Sequence, residues 1–513
     1  MASSNFNTMA FVLFANPGPR DQEYPAITRA ASSYNPLRTF DLARGEQKHY
    51  QQQYGDMYFL RLAKLKPAVE ELATEAWEGF QIAGDMARRV DRVLDVRQGE
   101  LCWVAGTVYM DMPLKPNILE DISKDHWISA PPPREKYLSP NGLDKVMLED
   151  ESGRLRLVGT PLQTEMLVTG CIIAVMGTEN ASGDFEVVDI KVPDLPRQPQ
   201  RWERDEIEAT TSGSSGKEQE NLKEENGKIA FISGLNVTGD EADDLTTDLL
   251  VEYLLGEATG PHEQEAVGQI SRLIIAGNSL AESSPIPPRD DLANGANKKA
   301  ARKYGYDSSA YNPAPTARLD VLLSTLLPTI PITLIPGASD PANVSVPQQP
   351  LHPALFPHSR AYAAPPGSTT EPPGWFDSVT NPWEGDIQGW RFQGTGGQPV
   401  DDIFKYVEGD DRLDMMEHIL RWRCAAPTAP DTLWSYPFQE TDPFVMEECP
   451  HVYFVGNQPR FETRLIEGPA GQTVRLIALP KFKETGELVL LDAQTLELEV
   501  VRFDVFDRED GKA

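Results

Sequence analysis

The chain has 513 residues, of which 78 are acidic and 47 are basic, so its formal net charge is −31. This length predicts roughly two to four domains, each large enough to bury a core of its own. The negative charge disfavours autonomous binding to nucleic acid, because it repels phosphate backbones. The cysteines form no CxxC pair and lie far apart, which indicates reduced, intracellular thiols rather than a disulfide scaffold. They are Cys102, Cys171, Cys424 and Cys449.

The sequence predicts neither a secretory signal nor a membrane span. The short apolar run at 9–15 has no basic residue before it and no small-residue cleavage site after it. The apolar stretch 321–335 is too short to cross a bilayer, and Pro328 and Pro331 interrupt it. We therefore expect a soluble protein with no membrane partner.

The N-terminal region divides into two parts. Residues 1–40 are rich in Pro, Ser and Asn without sustained periodicity, which predicts a flexible arm. Residues 41–92 form a helical lead-in, since apolar residues between Glu46 and Trp77 fall largely at helical spacings. Pro67 marks a break or the start of a new helix.

Residues 93–200 change to short runs of β type separated by turn-formers, which predicts a small closed barrel. The runs are Leu101–Met110, Lys145–Leu148, Leu155–Val158, Leu167–Met176 and Phe185–Ile190. An OB-fold is the most common five-stranded candidate. Because these runs carry few pairs of aromatic and basic residues, a structural or protein-binding barrel is favoured over one that binds single strands.

The polar, mostly acidic segment 201–228 cannot offset its ordering entropy, so it predicts a disordered linker or insert. Residues 229–505 then repeat strand, glycine-containing loop and helix, which indicates a layered α/β domain closed by antiparallel strands. Residues 285–316 interrupt this domain as a flexible insert with a basic cluster at Lys298–Lys303, which leaves contact with DNA open. Residues 506–513 form a tail.

Catalytic motifs are scarce, with no Walker A loop, GxSxG elbow or HExxH. The glycines at 394–397 favour a plain turn over an anion site. His352 and His358 are separated by two prolines, which favours packing or capping over zinc binding. Asp401 and Asp402 begin a helix, where complementarity to the helix dipole explains them without catalysis.

The loops after four buried strands read Ile232-Ser-Gly-Leu-Asn-Val237, Ile275-Ala-Gly-Asn-Ser-Leu280, Ile335-Pro-Gly-Ala-Ser-Asp340 and Phe454-Val-Gly-Asn-Gln-Pro459. They resemble the loops of calcineurin-type metallophosphoesterases, in which Asp, Asn and His side chains bind two metal ions. Laid on that pattern, the ligand positions carry residues that cannot supply the charge of a metal cage. They are Gly234, Asn236, Asn278, Ala281, Ala338, Ser339, Asn457 and Pro459.

Only Asp340 still matches the ligand pattern, and no histidine lies near 393–396 where a further one is expected. The resemblance implies an α/β/β/α phosphoesterase-like sandwich that has lost its metal ligands, with no catalytic residues, no metal and no cofactor. We therefore expect an α+β multidomain protein that is not an enzyme. The alternative is a metal-dependent phosphodiesterase or nuclease that recruits metal through Asp340.

A barrel followed by a metal-less phosphoesterase domain resembles the small (B) subunits of eukaryotic replicative DNA polymerases, above all the polymerase delta group. Stretches that carry this resemblance include 104–116, 347–358, 379–382, 423–438 and 449–454. The resemblance implies a scaffold in DNA replication and repair. Its partners would be the Cys-rich C-terminal domain of the catalytic subunit and the third subunit, and through them the sliding clamp and DNA. Polymerase zeta is a weaker implied partner, and the implied compartment is the nucleus.

Two further interpretations stay open at this point. A single-stranded DNA-binding module would use the barrel and the cluster Lys298–Lys303. The tryptophans Trp375, Trp383 and Trp390, in Gly- and Pro-rich surroundings, either anchor a partner or pack against their own domain.

Overall fold

A computed structural model of the chain describes residues 8–10, 27–43, 53–82, 84–116, 134–201, 227–239, 245–258, 260–282, 312–364 and 374–504. The predictions for most of the linker 201–228 and the insert 285–316, for the cluster Lys298–Lys303 and for the tail 506–513 lie outside these residues. Within the described part, we find no helix whose length and apolar character would let it span a bilayer.

The α-helices are α1 (Tyr54–Trp77), α2 (Pro161–Thr164), α3 (Leu245–Leu255), α4 (Pro261–Gly268), α5 (Ala314–Leu326), α6 (Gln398–Tyr406), α7 (Arg412–Arg421) and α8 (Phe482–Thr485). Short 3₁₀ helices span Val93–Asp95, Pro353–Leu355 and Ser359–Tyr362. The strands up to the linker are β1 (Thr8–Ala10), β2 (Tyr34–Pro36), β3 (Gln81–Ile82), β4 (Asp85–Met86), β5 (Arg88–Arg89), β6 (Leu101–Asp111), β7 (Lys145–Glu149), β8 (Arg154–Val158), β9 (Ile172–Glu179) and β10 (Phe185–Lys191).

The strands after the linker are β11 (Lys228–Ile232), β12 (Ile270–Ala276), β13 (Ile332–Ile335), β14 (Phe376–Ser378), β15 (Trp383–Ile387), β16 (Trp390–Thr395), β17 (Val452–Gln458), β18 (Glu462–Glu467), β19 (Thr473–Pro480), β20 (Glu487–Asp492) and β21 (Leu498–Arg502).

Strands β5 to β10 form a barrel in the order β5-β6-β7-β8-β10-β9, which closes where β6 pairs with β9. Alternate apolar side chains such as Val104, Leu148 and Phe185 fill its interior. The prediction of a small closed barrel is therefore confirmed. One predicted strand is misplaced, because β9 begins at Ile172 and not at Leu167. The turn before it contains Gly170 (φ 95°), where a Cβ would collide with the carbonyl oxygen of Pro427 in the other domain.

Helix α1 lies across the outside of the barrel. Its apolar stripe, including Leu65, Val69 and Trp77, packs on barrel residues such as Trp103 and Met176. The predicted break at Pro67 is wrong, because the helix continues through it. Burial of this stripe against the barrel offsets the missing N–H hydrogen bond that proline costs a helix.

The second domain is a sandwich of two mixed sheets. One sheet has the order β1-β21-β20-β11-β12-β13-β14 and the other has the order β18-β19-β17-β16-β15-β2. Apolar side chains from both sheets, among them Phe231, Ile274, Phe392 and Phe454, fill the space between them. Helices α3 and α5 cover the first sheet, and α6 and α7 cover the second. The predicted α+β multidomain class is confirmed.

The predicted flexible arm at 1–40 is wrong for residues 27–40. Strand β2 pairs antiparallel with β15, and Phe40 is buried. The guanidinium of Arg29 donates to the carbonyl oxygens of Leu254, Val267 and Ile270. Backbone pairing to a strand far along the chain holds this segment, and local composition carries no signal of such pairing.

Two predicted boundaries also move. Lys228, assigned to the linker, is the first residue of β11, where it pairs with both β12 and β20. Ala314 to Thr316, assigned to the insert, form the first turn of α5 with Pro315 near the helix start.

Buried charged contacts join the barrel to the sandwich along a boundary that we call the domain seam, defined by Arg61, Lys115, Asp402, Asp431 and Asp442. The Nε of Arg61 donates to Asp442 Oδ2 at 2.9 Å, and its Nη1 donates to the carbonyl oxygens of Pro427 and Ala429. Lys115 Nζ lies 2.5 Å from Asp431 Oδ2. The seam therefore fixes the barrel against the sandwich.

Candidate functional site

The loops 233–236, 277–280, 337–340, 396–397 and 456–458 meet at one edge of the sandwich, and we call them the loop cluster. Strands β11, β12 and β13 are parallel neighbours in one sheet, and β16 and β17 are parallel neighbours in the other. The carboxyl ends of these strands, and the loops that follow them, are therefore brought together.

The loops contact one another backbone to backbone. The N–H of Gly234 donates to the carbonyl oxygen of Gly277 at 3.0 Å, and the N–H of Asn236 donates to that of Asn278 at 3.0 Å. A Cβ on Gly277 would lie 2.9 Å from Gly396 Cα and 3.2 Å from Gly337 Cα. Gly277 also has φ of 82°, a left-handed conformation that favours glycine. No space for a longer side chain remains between these loops.

Asn457 lies at the centre of the cluster with 7% of its surface exposed. Its Nδ2 donates to the carbonyl oxygen of Gly396 at 2.8 Å, and its N–H donates to Ser233 Oγ at 2.9 Å. A Cβ on Gly234 would lie 2.8 Å from Asn457 Oδ1. An aspartate at 234 would thus require both Asn457 and the neighbouring Lys481 to move.

Asp340 is buried and joins two of the loops, 277–280 and 337–340, by hydrogen bonds. Its carboxylate accepts backbone N–H groups from Gly337 at 2.8 Å, Leu280 at 2.9 Å and Ser279 at 3.2 Å. Burial raises the pKa of Asp340, and these N–H donors oppose that rise. Both carboxylate oxygens are used within the fold, so Asp340 is a structural residue of the cluster.

A network of neutral amides extends the cluster. Asn381 Nδ2 donates to Gln348 Oε1 at 2.8 Å and to Gln398 Oε1 at 2.9 Å, and its Oδ1 accepts from Thr395 Oγ1 and from the N–H of Gly396. Gln348 Nε2 donates to the carbonyl oxygen of Gly337 at 3.1 Å. No role was predicted for these residues from the sequence, although Gln348 and Asn381 lie in stretches that carry the family resemblance. The available signal was a pair of polar amides beside prolines, in 347–350 and 380–382.

The structure brings most of the predicted ligand positions together. Ser339 N–H donates to Asn278 Oδ1 at 3.2 Å, and Ser339 Oγ donates to the carbonyl oxygen of Leu280 at 2.6 Å. Two positions lie outside the loop cluster. Pro459 is exposed beyond the end of β17. Ala281 follows the loop 277–280, and its N–H donates to the carbonyl oxygen of Val237. In the ranges that the structure describes, no three His, Cys, Asp or Glu side chains are grouped as a metal site would need.

The other candidates take part in local structure. The N–H of Ala354 donates to His352 Nδ1 at 3.1 Å, as the capping interpretation predicts. Arg412 Nη1 pairs with Asp401 at 2.8 Å, and Thr432 Oγ1 donates to Asp402 at 2.5 Å. These carboxylates therefore have side-chain partners within the fold, and Asp401 also lies in the first turn of α6. Two N–H groups of the 394–397 turn are used internally, since that of Gly396 donates to Asn381 Oδ1 at 2.9 Å and that of Gly397 donates to Thr395 Oγ1 at 3.4 Å.

The tryptophans are not exposed anchors. Trp383 is 1% exposed between the two sheets. The indole N–H groups of Trp375 and Trp390 donate to the carbonyl oxygens of Leu327 and Ala493, each at 2.6 Å. These contacts favour the second interpretation, in which the tryptophans pack against their own domain. Among the described residues, Trp434 is exposed, at 62%, and sequence reasoning missed it.

Four arginines on the barrel pair with carboxylates. Arg89 pairs with Glu70 at 2.8 Å, Arg92 with Asp95 at 2.9 Å and Arg156 with Asp184 at 3.6 Å. Arg154 pairs with Glu149 in the same way. This pairing reduces the positive potential that a single-strand groove needs.

Comparison with known families gives two matches in chain order. The family model described as "DNA polymerase delta subunit OB-fold domain" matches residues 53–190. The family model for the B-subunits of DNA polymerases alpha and epsilon matches residues 229–463. The first match confirms the predicted OB-fold, and the second covers the sandwich that carries the loop cluster.

Curated relatives match over nearly the whole chain. The "DNA polymerase delta small subunit" of Arabidopsis thaliana is 36% identical over 476 residues, which are 93% of this chain and 96% of the relative. The protein of the same name in Oryza sativa subsp. japonica is 34% identical, over 93% of this chain and 99% of the relative. That of Saccharomyces cerevisiae is 33% identical, over 92% and 93%.

Proposed function

Because the chain belongs to the DNA polymerase delta small-subunit family, we propose that it is a non-catalytic scaffold of that polymerase in DNA replication and repair. Membership of the family implies an accessory-subunit role. The scaffold role is our proposal beyond that. It would join the Cys-rich C-terminal domain of the catalytic subunit to the third, clamp-binding subunit. The sliding clamp and DNA would be reached through these partners, with polymerase zeta as a further partner and the nucleus as the compartment.

The observation that carries the non-catalytic proposal is the packing of the loop cluster. We propose that the sandwich is a metallophosphoesterase-like fold that has lost its ligands at Gly234, Asn236, Asn278 and Asn457. A two-metal site requires several anionic or imidazole ligands around an open space. In the loop cluster, neutral residues stand at the ligand positions, and loops in direct backbone contact fill the open space. The carboxylate of Asp340 is already bonded to three N–H groups.

The domain seam supports the scaffold part of the proposal. A scaffold has to hold separate partner surfaces in one relative position. The buried pair of Arg61 and Asp442 and the pair of Lys115 and Asp431 tie the barrel to the sandwich. Partners bound to either domain would therefore be held in a defined geometry.

The test is co-expression with the C-terminal domain of the polymerase delta catalytic subunit, followed by native mass spectrometry. We expect a one-to-one complex and no divalent metal on this chain after dissociation. A free monomer that carries two divalent ions would contradict the proposal. Hydrolysis of bis(p-nitrophenyl) phosphate with Mn²⁺ provides the second readout, and we expect none above buffer. Activity that disappears in Asp340→Asn would establish the phosphodiesterase alternative.

The single-strand-binding alternative is tested separately with a fluorescent oligothymidine. The carboxylate partners of the barrel arginines lead us to expect weak binding even at low salt. A tight complex with a steep salt dependence would support that alternative instead.

A further inference from the structure

A groove of about 850 Å³ lies on the sandwich, apart from the loop cluster. Its apolar lining includes Leu42, Leu351, Phe356, Phe376 and Tyr436. Ligand sites commonly have volumes of roughly 300–1,000 Å³ and combine an apolar lining with a few polar groups. This groove has the size and the lining of a binding site.

The polar residues of the groove give it a local positive charge. Arg38 and Arg360 line it and are exposed. Two carboxylates lie close by, Asp377 and Asp41. Asp377 is already engaged within the fold, because it accepts a hydrogen bond from the hydroxyl of Tyr34 at 2.7 Å. The guanidinium of Arg272 lies over the ring of that tyrosine. Asp41 pairs with Arg38 in an exposed contact of a kind that contributes little to stability. A carboxylate on a partner could therefore replace Asp41 at small cost.

An open sheet edge runs along the groove. Strand β14 is the last strand of its sheet among the described residues, and Phe376 and Ser378 line the groove. The N–H of Ile332 donates to the carbonyl oxygen of Trp375, and the N–H of Val379 donates to that of Leu334. Residues 375 and 379 thus bond to β13, so the backbone groups of 376 and 378 point away from it. An extended peptide can add to such an edge by main-chain hydrogen bonds.

We propose that this groove binds an extended segment of another polymerase delta subunit, one that combines aliphatic or aromatic side chains with carboxylates and adds to β14. That the partner is a polymerase subunit rests on the proposed function. The carboxylates follow from the cations at 38 and 360, and the apolar side chains follow from the lining. A second copy of this chain is disfavoured because two chains of net charge −31 repel each other.

The test places the photo-crosslinking residue p-benzoylphenylalanine at Tyr436 in the full chain, co-expressed with the other polymerase delta subunits. Crosslinked peptides are mapped by mass spectrometry. We expect one extended segment, rich in acidic and apolar residues, from another subunit. The control places the same crosslinker at Val321, which is 57% exposed on α5, and we expect no crosslink to that segment.

Charge reversal supplies the matched comparison. Arg38→Glu with Arg360→Glu should lower the crosslink yield at least tenfold, and the double lysine variant should restore it. The control is Arg97→Glu with Arg460→Glu, since these arginines are exposed and paired with Glu100 and Glu462, as Arg38 is with Asp41. We expect no change from the control pair.

Several outcomes would overturn the groove proposal. They are an intact complex without a crosslink, a crosslink to this chain itself or to an isotopically labelled second copy, a basic crosslinked segment, and a yield that charge reversal leaves unchanged. Failure of the proposed function gives a different result, since no polymerase subunit would then co-purify with the unmodified chain.

Discussion

The loop cluster and the domain seam are both buried and polar, but the cluster consists mainly of neutral groups and the seam of charged ones. The cluster uses glycines and neutral amides, and its single central carboxylate, Asp340, is bonded to backbone N–H groups. The seam uses ions, with Arg61 on Asp442 and Lys115 on Asp431. The neutral amides of the cluster carry no charge that would attract a metal. Ion pairs at the seam have fixed partners and orientations, which favours one placement of two domains.

The largest effect is expected at the seam, from Arg61→Ala. The side chains of Arg61 and Asp442 are 5% and 0% exposed, so the substitution leaves a buried carboxylate without its cation. Loss of one partner of a buried pair typically costs about 3–5 kcal/mol. Urea unfolding should show a decrease of about 4 kcal/mol in the free energy of unfolding. Arg97→Ala, at a pair whose arginine side chain is 70% exposed, should change it by less than about 0.5 kcal/mol.

Gly277→Ala tests how tightly the loop cluster is closed. The methyl group would meet Gly396 and Gly337 and would adopt an unfavourable positive φ. Strain and overpacking together should lower the free energy of unfolding by about 3 kcal/mol. Gly142 also has a positive φ, but a Cβ added there would have no neighbour within 4 Å, so Gly142→Ala should cost only about 1 kcal/mol. Equal losses for the two variants would mean that the loops are not packed against each other.

Asn381→Ala tests the neutral network beside the cluster. It removes donors to Gln348 and Gln398 and an acceptor for Thr395 and Gly396. Unsatisfied buried polar groups should lower the free energy of unfolding by about 2 kcal/mol. The exposed Gln494→Ala is the control and should leave it unchanged. An unaffected Asn381→Ala protein would show that the network is not a structural part of the cluster.

The smallest effect concerns pH at the seam. Burial raises the pKa of Asp402, so the folded protein holds this proton more tightly than the unfolded chain does. The resulting stabilisation is complete below the ordinary aspartate pKa of about 3.9 and is lost as pH rises through the folded-state pKa. Relative to Asp402→Asn, which does not titrate, the unmodified protein should therefore lose stability as pH rises from about 4 toward neutral. Urea unfolding at about pH 4 and at about pH 7 measures this difference in stability, and a constant or rising difference would contradict it.

Local patterns predicted the individual elements well. Short runs of β-forming residues between turn-formers located β6, β7 and β10 to within a residue or two. The patterns failed where distant residues decide the structure. Tyr34 pairs with Ile387, and α1 continues through Pro67 because the barrel supports it. Trp383 lies among Gly and Pro residues but is covered by the opposite sheet.

The candidate site was predicted in composition but not in arrangement. The spacing of the strand-end loops indicated where ligands should be, and the residues present there excluded the required charge. The sequence did not indicate that Asn457 bonds to Gly396, that Asp340 clamps the loops or that Gln348 and Asn381 complete them. Such contacts join residues that are distant in the chain, and many combinations of partners are compatible with one sequence pattern.

The sequence by itself determined the order of barrel and sandwich, the family resemblance and the lack of acidic or imidazole side chains in the strand-end loops apart from Asp340. These features depend on local period and on residue identity, which can be read along the chain. Only the tertiary structure decided that the loops close on one another, that buried ions fix the two domains and that a cationic groove runs beside the edge of β14. Each of these depends on which distant surfaces meet, and packing of the whole chain determines that.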